Sequence, residues 1–559
     1  MFEKNLEFID NKALKERLSK LTVEESRWDI SFCMTPTNDY LLLKNDIPID
    51  DVQDPRGAIR KMLKETIKQP MGQNDIIVTF GIGLCYLMDE VFNAYPSKIF
   101  VYEPDIKLLH FVLNNVDISE LLKSGRIYIT DNRDELIKKL NDTYLTKDKV
   151  EVVYLKNYAI AKSQELLDFT QKVYETCKSK MVDVNTILKF SKVWLKNLLT
   201  NIKTINEGSL YKLSDLENKF QGQTALIIAA GPSLQENIEK IKANRNKFVV
   251  FAVNRVLRTV LSNGIIPDFV VCIDPDGVED SFTNLDEQIK NINCIIDAKS
   301  DCKIFTKNFK KIFVSFTGNE NIIKSLTDYN PDIKTYECGG SSTTLAFISA
   351  VKMGFEKIVF AGLDLALKGD LMYSSGEVAN VNADGKIDLG GEQQKGITQV
   401  KSVTGEMVNS RDDFAAFIQH FEALIKDSGY TECYNTTSFG AAIEGMKNVP
   451  FDNITLDRIA NTTALILGEA HPFKIETKDW TQNELKLIND VIELLSKDTF
   501  SPALVSAIVK SSLLYQYMQA DVINVLQSKM ADGLAEKFIS ETKAGVKTVI
   551  DTLLKNHLI

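Results

Sequence analysis

The 559-residue chain has no Cys-x-x-Cys pair and only four histidines, and its eight cysteines are scattered singly. That argues against a structural zinc site and against a disulfide framework. Cys85 and Cys272 lie inside apolar runs and read as core thiols. No apolar run reaches the roughly 20 residues of a membrane helix. The opening Met-Phe-Glu-Lys-Asn-Leu-Glu has no basic stretch followed by an apolar one, so the expectation is a soluble, cytoplasmic protein. A formal net charge of −10 leaves no general attraction for nucleic acid or anionic membrane. No internal repeat of 20–50 residues is evident.

What is present is a repeated alternation of short apolar runs with helical periodicity, which predicts parallel α/β sheets. The fold class expected is α/β: two Rossmann-like parallel-sheet domains plus a C-terminal helical domain. After an amphipathic helix (Leu14, Leu18, Leu21) and polar turns, candidate strands Ile76–Phe80, Ile99–Tyr102, Ile127–Ile129 and Val150–Leu155 make a first Rossmann-like domain over 1–155. Residues 156–215 read as a helical connector. A central domain over 216–450 has candidate strands Ala225–Ala230, Phe248–Val253, Phe269–Ile273, Asn293–Ile296, Lys311–Phe316 and Ile358–Ala361. A Gly-rich polar segment over 376–401, with a hairpin turn expected at Asn382–Gly385 and Leu389-Gly-Gly391 after it, reads as a lid or loop. Residues 451–559 repeat at near-helical spacing (Leu504, Ile508, Tyr515, Met518, Val522) and read as a helical bundle.

Ligand crevices of open α/β sheets lie beyond the carboxyl ends of the strands, so the strand-end clusters are the candidate site. Gly231-Pro232-Ser233-Leu234 follows a strand and opens a helix, a geometry that can aim backbone N–H groups at an anion. The plainer alternative is a turn with Ser233 as helix cap. Asn254 and Arg255 end the next strand; an amide can donate and accept toward a base or ribose. Asp274-Pro275-Asp276-Gly277 fits either a metal-diphosphate site or a simple turn. Gly339-Gly340-Ser341-Ser342-Thr343 opens a second glycine- and hydroxyl-rich helix. Gly362-Leu363-Asp364, with Tyr373 after it, offers an acid at another strand end. A rival lies in the first domain: Gly81-Ile82-Gly83 with Glu103 about one strand later imitates a dinucleotide or S-adenosylmethionine signature. Tyr86 stands where its third glycine belongs.

Together these pieces resemble the motility-associated factor (Maf) family of flagellin glycosyltransferases over most of the chain. The matching residues are Phe80-Gly-Ile-Gly-Leu84, Tyr102-Glu-Pro-Asp105, Gly231-Pro-Ser-Leu234, Asn254-Arg255, Ile273-Asp274-Pro275, Gly340-Ser-Ser342, Gly362-Leu-Asp364 and the helical tail. The resemblance implies transfer of a nonulosonic acid (pseudaminic, legionaminic or a related sugar) from a CMP-activated donor to Ser or Thr of flagellin. The central domain is also similar to bacterial sialyltransferases that use CMP-sialic acid. That similarity puts Gly231, Pro232, Ser233, Leu234, Asn254, Ser342 and Thr343 around CMP, and Asp274, from the Maf match, joins them as a candidate nucleotide-binding residue. It puts Asp364 and Tyr373 at the donor phosphate. Thr343 and Ala366 depart from that pattern, and its base histidine has no counterpart in Asn409-Ser-Arg-Asp-Asp413. Asp364, Glu406 and Asp413 are then the candidate bases, and His420 reads as structural. Two other functions stay open: an ATP- and Mg²⁺-dependent pterin pyrophosphokinase, with Asp274 and Asp276 as ligands, and a non-catalytic flagellin chaperone. The metal requirement and the oligomeric state stay open too.

Overall fold

A computed structural model describes the chain except for residues 28–29, 319, 375–379, 382–385, 389–393, 456–466, 498 and 528–532. The expected turn at 382–385 and the Leu389-Gly-Gly391 stretch lie outside the described residues. The chain divides into two compact units, Met1–Met181 and Val182–Ile559.

The first unit opens with a small antiparallel sheet, β1 (Ile30–Met34), β2 (Tyr40–Lys44) and β3 (Ile47–Pro48), in a region expected to hold only a helix and turns. Its main sheet is four parallel strands, β4 (Ile76–Phe80), β5 (Lys98–Tyr102), β6 (Ile127–Thr130) and β7 (Val150–Tyr154), in the order β6-β5-β4-β7. All five residues of β4 are buried, as the unbroken apolar run Ile-Ile-Val-Thr-Phe requires of a central parallel strand.

The second unit is built on ten strands. After β8 (Tyr211–Lys212) come β9 (Thr224–Ile228), β10 (Val249–Val253), β11 (Phe269–Cys272), β12 (Asn293–Asp297), β13 (Ile312–Thr317), β14 (Thr335–Tyr336) and β15 (Lys357–Ala361). Strands β16 (Asn380–Val381), β17 (Lys386–Asp388), β18 (Gln394–Lys401) and β19 (Met407–Arg411) form a separate antiparallel sheet. β20 (Cys433–Asn435) and β21 (Lys447–Asn448) return to the main one. The order is β14-β13-β12-β11-β10-β9-β15-β20-β21, and neighbouring strands along it pair in parallel. The chain runs outward from β9 to β14 and then restarts on the other side at β15. The order therefore reverses between β9 and β15.

Strand alternation supplies two faces. Leu226, Ile228, Val250 and Ala252 share a core with Leu198, Ile202, Trp480, Ile488, Met518 and Val549, so the C-terminal helices pack on one face of this sheet. Ala225, Ile227, Val249 and Phe251 pack on the other face with helix Ser342–Met353 and helix Asp412–Ser428. Among the described residues, no helix is long and apolar enough to cross a membrane.

Candidate functional site

At the β9–β15 reversal, the Gly231–Leu234 turn is closed by the protein itself. The Gly231 N–H donates to the Gly362 carbonyl (2.8 Å), and the Leu234 N–H to the Gly231 carbonyl (3.1 Å). Pro232 has no N–H. The Ser233 N–H donates to Asp364 Oδ2 (2.8 Å) and the Ser233 hydroxyl to Asp364 Oδ1 (2.5 Å). The Thr437 hydroxyl donates to the same oxygen (2.6 Å). Ser233 and Asp364 are 0% and 2% exposed. The expectation that this turn cradles an anion on its backbone N–H groups is therefore corrected: those groups already have acceptors. Ser233 also does not cap helix Leu234–Ala243 with its side chain. Burial pushes the Asp364 carboxyl up, against the pull of its Ser233 and Thr437 hydrogen bonds. Gly231 is required by space, since a Cβ there would stand 2.5 Å from Asp364 Oδ2 and from the Gly362 oxygen.

Beside that wall the ends of β10 and β11 meet helix Ser342–Met353. The Ile273 N–H donates to the Ser342 hydroxyl (3.2 Å), which donates to Asn254 Oδ1 (3.1 Å), and the Asn254 amide donates to Asp274 Oδ2 (3.0 Å). Asn254 is 6% exposed, whereas Asp274, Ser342 and Thr343 are half-buried. Burial pushes the Asp274 carboxyl up, opposed by its Asn254 hydrogen bond and by the charge of Arg255. The helix start is capped by its own side chains. Ser341 and Thr344 form a capping box, and the Leu345 N–H donates to the Ser341 carbonyl. The N–H groups of Ser342 and Thr343, in the first turn, have no acceptor within the helix.

Tyr373 completes this corner. Its hydroxyl accepts from Arg411 Nη1 (3.1 Å), and Arg411 grips Asp413 through Nε (2.9 Å) and Nη2 (2.7 Å). The next residue ties the segment down, because the Ser374 N–H donates to the Ala230 carbonyl (2.8 Å). The Arg255 guanidinium lies over the Tyr373 ring at 4.6 Å. Glu406 is not brought to this corner. It is exposed, in the turn before β19. At a rise of about 3.3 Å per residue, roughly 16 Å of strand separates it from Arg411. His420 lies against Gly339, with Nε2 3.7 Å from Asp183 Oδ1.

Sequence reading missed Thr437 and the Arg411–Tyr373 contact. Thr437 follows β20, whose three residues Cys-Tyr-Asn carry too short a strand signal to mark a strand end. The rival turn in the first unit is filled. A Cβ at Gly81 would stand 2.7 Å from the Tyr158 ring. The Ile82 N–H and the Tyr158 hydroxyl both donate to Glu103 (2.9 and 2.6 Å). Glu103 is wholly buried, and burial pushes its carboxyl up to about 7. The cysteines expected in cores are there: Cys85 and Cys272 are 3% and 0% exposed.

The profile of the 6-hydroxymethylpterin diphosphokinase MptE-like family matches residues 196–370. An uncharacterized protein of Treponema pallidum (strain Nichols) is 30% identical over 112 residues, which is 19% of this chain and 51% of that relative. The match thus spans about half of the relative's length. A solved structure, that of MAf glycosyltransferase from Magnetospirillum magneticum AMB-1, superimposes with a TM-score of 0.61 at 16% identity, covering 100% of this chain and 96% of that one. Along its whole length, then, this chain is similar in fold to a Maf glycosyltransferase.

Proposed function

We propose that the chain is a glycosyltransferase that moves a nonulosonic acid (pseudaminic, legionaminic or a related sialic-acid-like sugar) from its CMP-activated form to Ser or Thr hydroxyls of flagellin. In this reading it acts in the cytoplasm and serves flagellar assembly. The observation that carries the reading is the Asn254–Ser342–Asp274 cluster at the strand ends, in a chain whose fold is similar throughout to a Maf glycosyltransferase. Asn254 would read the nucleoside, and the helix start at Ser342 and Thr343 would take the phosphate. Gly231–Leu234, braced by Asp364, would be the wall behind them.

The donor's leaving group is already a good one, so the protein's task is to place the donor and stabilise the charge that develops on departure. The acceptor hydroxyl oxygen bonds to the anomeric carbon, the bond from that carbon to the phosphate oxygen breaks, and CMP leaves with the electron pair. Attack from the far side inverts the centre. Of the acids expected as base, Asp364 already serves Ser233 and Thr437, Asp413 is held by Arg411, and Glu406 lies down the strand. Asp274 stands in the cluster, accepting one hydrogen bond from Asn254, and in this reading it would accept the hydroxyl proton. The test is to incubate the full chain with a CMP-activated nonulosonic acid and flagellin and weigh the flagellin. Wild type should add one sugar mass or more and Asn254→Ala should add little; equal transfer by both sinks the reading.

The diphosphokinase-like profile over 196–370 favours a second reading, in which Asp274 and Asp276 serve Mg²⁺-ATP. Stabilisation by Mg²⁺-ATP and not by CMP would select it.

A further inference from the structure

We propose that Arg411 is a positioning residue, which fixes the Tyr373 hydroxyl as a hydrogen-bond donor for an oxygen of the sugar nucleotide. This rests on the CMP-sugar reading above. Arg411 ends β19, and Asp413 stands in the first turn of the helix that follows. Both side chains are buried, and the guanidinium holds the carboxylate through Nε and Nη2. The strand end is tied to the segment that leads from Asp364 to Tyr373. The Leu367 N–H donates to the Asn409 carbonyl (2.8 Å), and the Ser410 hydroxyl to the Leu365 carbonyl (2.7 Å). The tyrosine is set from its own side too. Phe414 meets its ring edge-on at 6.3 Å, and Ser374 is bonded to Ala230 and to the Gln235 amide (3.1 Å).

A guanidinium donates and never accepts. In the 3.1 Å bond between Arg411 Nη1 and Tyr373, the phenol oxygen is therefore the acceptor, and the phenol proton is left for another partner. Among the described residues this is the hydrogen bond the Tyr373 hydroxyl makes. Tyr373 is half-buried, so a ligand can reach the phenol while the ion pair behind it stays covered. A buried ion pair adds little stability over apolar residues of the same size, so its presence calls for another reason. Here the arm of Arg411 that Asp413 does not hold ends on the phenol. A hydroxyl that accepts from a cation is polarised into a better donor. The sugar nucleotide brings the acceptor: its phosphate oxygens gain charge as the bond to the anomeric carbon breaks. A donor already fixed in place meets that charge without reorganising.

The test is a double-mutant cycle in transfer to flagellin, on the full chain, with whichever of CMP-pseudaminic and CMP-legionaminic acid the wild type uses. Tyr373→Phe keeps the ring and removes the hydroxyl. It should lower kcat about tenfold or more and leave KM within about threefold. Arg411→Lys keeps a charge for Asp413 without the second arm for the phenol, and should lower kcat comparably. Arg411→Lys added to Tyr373→Phe should lower kcat by no more than about a further twofold, because Arg411 acts through a hydroxyl already gone. Losses that multiply would make Arg411 merely structural and overturn the proposal, and so would full activity of either single variant. If Arg411→Lys does not fold, Arg411→Leu with Asp413→Leu removes the pair without stranding a buried charge, and the same cycle is read with it. Wild type that transfers neither sugar would overturn the CMP-sugar reading first, and this proposal with it.

Discussion

Each parallel sheet carries a glycine turn at the end of its strand, and both turns are closed in the same way. In the first unit Glu103, from the end of the neighbouring strand β5, accepts the Ile82 N–H behind Gly81. In the second, Asp364, from the end of the neighbouring strand β15, accepts the Ser233 N–H behind Gly231. Each acid is buried, and each does for its turn what a bound anion would otherwise do. What differs is what lies next door. Tyr158 fills the space over Gly81. Beyond Gly231, Asn254, Asp274, Ser342 and Tyr373 gather at the ends of further strands and the start of a helix. A glycine turn alone therefore does not mark an anion site.

The comparison can be broken most forcefully by removing its plugs. Asp364→Ala would leave a buried N–H and two buried hydroxyls without their acceptor, and should cost about 3 kcal/mol. Urea unfolding would read this as a lower midpoint with an unchanged slope; a midpoint shift within error would mean that Asp364 does not brace the turn. Glu103 allows a test by pH. Its carboxyl is raised from 4.5 to about 7 in the fold, so the folded state holds the proton more tightly. Stability from this group is thus greatest at low pH and declines as pH rises through about 4.5 to 7, by about 3 kcal/mol in total. Asp50, also raised to about 7 by burial, adds in the same direction. Glu103→Gln should flatten the decline seen in thermal melts between pH 5 and 8; an unaltered decline would remove Glu103 as its source.

Activity separates the two turns more finely. Asn254→Ala removes the centre of the second cluster and should lower transfer about 100-fold, the scale seen when one aligned polar contact is lost from a site. The first turn should be silent in the same assay. Gly81→Ala is strained by a φ of 90° and by the Tyr158 ring, so it should lower the melting midpoint while kcat of the folded fraction stays within about twofold. The smallest effect is expected at Glu406, where Glu406→Gln should leave transfer within about twofold, as for an exposed residue far along a strand. A large loss there would return Glu406 to the list of bases.

Much of the sheet could be read from the sequence because buried parallel strands are nearly unbroken apolar runs. Ile76–Phe80 is such a run, and the observed Thr224–Ile228, Val249–Val253 and Ile312–Thr317 begin within a residue of those expected and end within two. The short strands β14, β20 and β21 were beyond reach, since two or three residues carry no period. The strand-end cluster was legible residue by residue but not pair by pair. Ser233 and Asp364 are 131 residues apart, and nothing local says that the serine's hydroxyl turns inward to that acid. Read alone, Ser233 is a phosphate ligand; paired with Asp364, it is part of the wall. Tyr373 and Arg411 are likewise joined only by the fold, 38 residues apart.

The central claim is that a nucleotide binds at the Asn254 cluster and not at either glycine turn. Calorimetric titration of CMP into the full chain and into its Asn254→Ala variant tests it most directly. The account predicts saturable binding to the wild type, weakened about tenfold or more in the variant, with both proteins melting alike. CMP bound equally by the two would place the nucleotide elsewhere and contradict the account.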